Sequence, residues 1–200
     1  MHARTAIWIF FFATALHAAG RTEGLSPQME RQVLDAFAPG DAPAGLKFLG
    51  SLPDGKASVI FACGTGAKAR ALVARFEAGA LRGDPVEVGE PIASCGALTL
   101  SQPFTVRWPG ERGRNAVVAS WSEGGKTLLT AALTFEPRVL AWTTADAPSG
   151  GGAVVPLSRG RAATALCVRQ PDGSWDTISW QEAAGGWESG AGSCKPPPRK

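Results

Sequence analysis

Through the middle of this chain, apolar residues fall on every second position. Leu98, Leu100, Phe104, Val106 and Trp108 alternate with polar or small residues, Val117, Ala119 and Trp121 resume the pattern, and Leu129, Ala131, Leu133 and Phe135 extend it. A period of two places each set on one face of an extended strand. Glu123-Gly124-Gly125-Lys126 supplies a hairpin turn between the second and third runs, and Val139–Thr144 reads as a further strand. On this reading Trp108 and Trp121 belong to the core, and Trp142 and Trp180 are buried in register with Leu140 and Ile178.

Two Pro-Asp-Gly triplets mark two more hairpins. Pro53-Asp54-Gly55 joins Leu46–Leu52 to Ala57–Cys63, and Pro171-Asp172-Gly173 joins Ala163–Gln170 to Ser174–Glu182. In each, proline presets φ, aspartate tolerates the bend and glycine takes the left-handed position. The segment Ala69–Leu81 alternates as well as it spirals, so it reads as a strand or as a helix. One helix is expected over residues 26–37, with Ser26 as cap, Pro27 in the first turn, and Met29, Val33, Leu34 and Phe37 on one face. Residues 146–162 read as a loop-rich bridge, and the Pro-rich stretch 195–200 as a disordered or extended tail. The expected fold is mainly β: a sandwich-like domain over residues 21–194 with one short N-terminal helix. The alternative is an α+β domain with a helix at 69–81.

Residues 1–20 change the chemistry available. A basic start at Arg4, the apolar run Thr5–Leu16 and the small residues Ala18-Ala19-Gly20 form the pattern of a secretory signal peptide. That run is shorter than the roughly 20 residues a spanning helix needs. Its removal would take away His2 and His17, the only two histidines. The commonest general base and metal ligand would go with them, and with them His-dependent hydrolysis and His-ligated metal chemistry. Neither a metal site nor a cofactor is expected. The localisation implied is periplasmic or secreted, with no transmembrane anchor after cleavage. The four cysteines, Cys63, Cys95, Cys167 and Cys194, are then expected in two disulfides, with Cys63–Cys95 and Cys167–Cys194 favoured because each would staple one local segment. Removing Arg4 leaves 19 basic against 17 acidic side chains, and a scattered net charge of +2 does not indicate nucleic-acid binding.

Candidate chemistry is sparse. Gly64-Thr65-Gly66-Ala67-Lys68-Ala69, with Glu87 about twenty residues on, has the outline of a dinucleotide fingerprint, but Cys63 before it and the lack of further βα units favour a Gly-rich hairpin. Two loops carry the same triplet, Arg112-Gly113-Arg114 and Arg159-Gly160-Arg161, whose guanidiniums suit a phosphate or carboxylate such as those of an anionic envelope polymer. Trp175 and Trp187 have polar or glycine neighbours and form the expected exposed pair, suited to stacking on sugar rings or apolar ligands. Glu87 and Glu90, Asp172 and Asp176, and Glu182 and Glu188 are candidate carboxylate pairs for glycoside hydrolysis, without a recognisable pattern. The function these residues imply is an exported, non-catalytic module that binds a partner protein or an envelope component. A carboxylate-dependent polysaccharide hydrolase is the alternative.

Overall fold

The computed structural model describes residues 24–110, 112–144, 152–159 and 161–194. The leader expected over residues 1–20 and the tail at 195–200 lie outside them. Helix α1 (Pro27–Asp35) begins where Ser26 Oγ accepts a 3.2 Å hydrogen bond from the Met29 amide. A first group of strands follows: β1 (Gly45–Asp54), β2 (Ala57–Thr65), β3 (Arg70–Glu77), β4 (Ala80–Leu81) and β5 (Val86–Glu87). These make an antiparallel sheet in the order β1-β2-β3-β4, with β5 also on β3.

The second sheet holds β6 (Ala97–Leu100), β7 (Phe104–Val106), β8 (Arg114–Glu123), β9 (Lys126–Thr134), β10 (Arg138–Thr144), β11 (Ala153–Arg159), β12 (Ala162–Arg169), β13 (Trp175–Gln181) and β14 (Gly186–Ser193). Its order is β10-β9-β8-β7-β12-β13-β14, with β11 on β12 and β6 on β8. The molecule is mostly β, and the two sheets form a sandwich that approaches a barrel because the larger sheet rolls over on itself. Among the described residues, no helix is long and apolar enough to cross a membrane.

The roll follows from the residues on β8 and β9. Val117, Ala119 and Trp121 point toward the first sheet and pack with Val59, Phe61, Val73, Leu129 and Leu133. Ala116, Val118 and Ala132, one position out of phase, pack on the opposite side with Val106, Trp108, Leu166 and Val168. A layer apolar on both faces must be covered on both, so β11–β14 fold back over it. The turning point is β7, antiparallel to β8 and joined to β12 through the parallel pair Val106 and Ala163. A third cluster seats Val33 of α1 on the outer face of the first sheet, against Ile60, Ala74 and Phe76. Fully burying each such side chain stabilises the fold by roughly 1.5–3 kcal/mol.

Both disulfides form as expected, Cys63–Cys95 and Cys167–Cys194, and each closes a local segment on its own sheet. Segment 69–81 is resolved in favour of strands, which removes the α+β alternative. It also removes the helix N-terminus that a dinucleotide site would need behind Gly64-Thr65-Gly66. The two Pro-Asp-Gly hairpins differ. In the first, Asp54 pairs with Ala57, so the turn is Gly55-Lys56 with Gly55 at φ 63° and the proline still in the strand. In the second, the Gly173 amide donates to Gln170 O and Gly173 takes φ 88°, a three-residue turn ending in a glycine bulge.

Four expectations are corrected. The helix is shorter than 26–37, because Ala36 already caps it. The bridge at 146–162 contains a real strand, β11, although Pro156 lies within it; residues 145–151 are outside the described set. The alternation from Leu98 to Trp108 is not one strand. It breaks between Leu100 and Phe104, so Leu98 and Leu100 join the first core while Phe104, Val106 and Trp108 join the second. Trp142 is 39% exposed rather than buried. A bulge between Val139 and Ala141 accounts for this: Leu140 and Ala141 both enter the second core, and every later side chain of β10 changes face.

Candidate functional site

Arg75 interrupts the apolar run of β3, in phase with Ala71 and Val73, whose side chains lie in the first core. It sits where the sandwich opens, and its charge there needs partners. Arg75 Nη2 lies 2.8 Å from Asp54 Oδ2, and Nη1 lies 4.0 Å from Glu136 Oε1. Glu136 belongs to the tight β9–β10 connection, which the Thr134 hydroxyl holds by donating to Glu136 O. Its carboxylate also pairs with Arg114, the first residue of β8. The Arg114 guanidinium stands over the Trp108 indole, 5.9 Å from its centroid.

Arg75, Trp108, Arg114, Thr134 and Glu136 line one open groove of about 610 Å³, completed by Arg82, Gly83, Asp84, Pro137 and Arg138. Four guanidiniums line it beside two carboxylates, Asp84 and Glu136; Arg75 also pairs with Asp54, and Arg82 Nε lies 3.2 Å from Glu77 Oε2, so with these partners counted the charges balance. Arg82 and Arg138 are exposed, whereas Arg75 and Arg114 are about one-third exposed or less. Nε of Arg75 is buried and finds no hydrogen-bond partner among the described residues.

Beside the groove lies a second hollow of about 540 Å³, lined by Arg107, Trp108, Pro109, Gly110, Thr164, Ser179 and Trp180. Trp108 is the wall common to both. Trp180, half-buried where burial was expected, stacks on it at 5.5 Å with 16° between planes, and Trp187 meets it edge-on at 6.0 Å. The contacts therefore run from Arg114 through Trp108 to Trp180 and Trp187.

Register brings the two arginine triplets to one end of the sheet. Val106 pairs with Arg114 on one side and with Ala163 on the other, placing those backbones roughly 10 Å apart, two strand spacings. Of the predicted residues, Arg114 lines the groove. Arg112 and Arg161 are exposed nearby without lining either hollow. Arg159 pairs with Ala162 at the same end, its side chain lying outside the description. Trp187 is half-buried against Trp108 instead of exposed, with Nε1 buried. Trp175 is also half-buried and pairs with Arg169, roughly 17 Å along β13 from Trp180. The structure thus joins Arg114 and Trp187 through Trp108 and leaves Trp175 apart.

The candidate carboxylates lie elsewhere. Glu87 is 3.4 Å from Arg70, Asp176 accepts from Gln170 Nε2 at 2.8 Å, and Glu90, Asp172, Glu182 and Glu188 are at the surface. None lines either hollow. Hydrogen bonds from Ser174 hold the Asp172 carboxyl below its ordinary value of 3.8, a property of the turn. Sequence reasoning missed Arg75, Arg82, Arg138 and Glu136: Arg75 and Arg82 share the β3–β4 hairpin, and Glu136 and Arg138 share the β9–β10 connection, but no spacing links the two pairs. Arg75 alone gave a signal, an arginine among Ala71, Leu72, Val73, Ala74 and Phe76. Comparison with family models, with curated proteins and with solved structures gives no match.

Proposed function

We propose that this protein is an exported binding module whose ligand is a polyanion, such as an acidic polymer of the cell envelope. The supporting observation is the convergence of Arg75, Arg82, Arg114 and Arg138 on one groove with Trp108 as its wall. Guanidiniums present forked donors matched to carboxylate, sulfate and phosphate oxygens. Open geometry suits a chain passing through better than a small molecule being enclosed. Glu136 is 60% exposed and bridges two arginines, the setting of an ion-pair clamp and unlike that of a buried acid. Two disulfides fit a periplasmic or extracellular setting, where such polymers occur.

The test is calorimetric titration of the protein with tripolyphosphate across a range of salt. Saturable binding that weakens steeply with salt is expected. Replacing the exposed Arg82 or Arg138 by Ala is expected to lower affinity about fivefold each, without altering the fold. Absence of binding, or binding indifferent to salt and to both substitutions, would overturn the proposal.

A further inference from the structure

Resting on that reading, we propose that the polyanion is an acidic glycan, and that the second hollow seats one of its sugar rings. The two hollows share Trp108, so a ligand with charge on one unit and a ring on the next can occupy both. Around the second hollow, Trp180 and Pro109 provide apolar surface, while Thr164, Ser179 and Arg107 provide hydroxyls and a guanidinium. That mixture matches a pyranose, whose C–H face packs on an aromatic ring while its hydroxyls need donors and acceptors at the rim. Trp108 is nearly buried, with Arg114 over its ring and Trp180 stacked on it. It therefore serves as a rigid support, and half-buried Trp180, which lines the hollow, is the surface left for the sugar. Bare polyphosphate has no ring to lay on Trp180, and Arg107 is the one group of this hollow that matches its oxygens.

Two substitutions separate the hollow from the groove. Trp180→Ala removes the platform, and Thr164→Phe at an exposed position fills the space while leaving the tryptophan stack in place. Each variant and the parent protein would be titrated with four probes. These are a hexasaccharide of alternating glucuronate and N-acetylglucosamine, an uncharged N-acetylglucosamine hexamer, tripolyphosphate, and a six-residue oligothymidylate. Both substitutions are expected to weaken the acidic hexasaccharide roughly tenfold while leaving tripolyphosphate within about twofold. The uncharged hexamer is expected to bind far more weakly than the acidic one.

If tripolyphosphate binds the parent but the acidic hexasaccharide is unaffected by both substitutions, the glycan inference fails and the arginine groove stands. Tighter binding of the oligothymidylate than of the hexasaccharide also sinks the glycan inference, in favour of a nucleic-acid ligand. If neither tripolyphosphate nor the hexasaccharide binds, the groove reading fails and takes this inference with it.

Discussion

Glu136 occupies the place a ligand anion would want. Its carboxylate pairs with Arg114 and lies 4.0 Å from Arg75 Nη1. Glu136→Gln keeps the shape and removes one negative charge from the groove, leaving Asp84 as the lining carboxylate while Asp54 and Glu77 stay paired with Arg75 and Arg82. A unit charge bound roughly 6 Å away would lose a repulsion of about 0.7 kcal/mol in bulk dielectric, or about 2.8 kcal/mol at an effective dielectric of 20. With the side chain 60% exposed, the low end applies. We expect about 1 kcal/mol per ligand charge near the site, roughly a fivefold gain in affinity. The stability cost should be below about 1 kcal/mol, because the pair is exposed. Arg75 keeps Asp54, and Arg114 keeps its place over Trp108. Tripolyphosphate titration of both proteins at low and high ionic strength measures the gain, which should shrink with salt. An affinity that is unchanged or reduced would refute the argument, since Glu136 would then be part of the ligand's own contacts.

Other consequences are open to measurement. Replacing Cys63 and Cys95 by Ala frees a loop of sequence separation 32 and is expected to cost roughly 3–4 kcal/mol in urea unfolding; the Cys167 and Cys194 pair, separated by 27, should cost about the same. Trp121→Ala, at a fully buried site against Phe61, should lose roughly 3–5 kcal/mol, whereas Trp142→Ser should lose far less. Equal losses at the two sites would contradict the bulge at Leu140. Asp172 is held below its ordinary 3.8 chiefly by the Ser174 side chain. Its stabilising contribution is therefore fully present above the unfolded value and disappears as pH falls through the lower folded value. Ser174→Ala should move the Asp172 midpoint upward in an NMR titration, and a midpoint that stays put would refute the assignment.

The β class was legible in the sequence, because alternation and turn residues act over a few positions and need no partner to be read. The favoured disulfide pairing is also the one that forms, since thiols near one another in sequence favour local closure, although spacing alone left the other pairings open. The groove was only partly so. Arg114 stood out for lying in a repeated triplet, and topology then brought both triplets to the same end of the sheet. Trp187 reads as exposed from its polar and glycine neighbours and instead packs against Trp108.

Residue order thus settled which segments would be extended, where they turn, and that apolar faces had to be covered. The fold alone decided which charges meet. Arg75 and Arg82 face each other across the β3–β4 hairpin, but Arg114 and Arg138 arrive from other segments, and their convergence depends on how strands pair and how the larger sheet rolls at β7. The bulge at Leu140 shows the same dependence in miniature: one extra residue, fixed by pairing with β9, reversed the side on which Trp142 emerges. Backbone pairing between distant strands sets such phases, and local sequence carries no record of it.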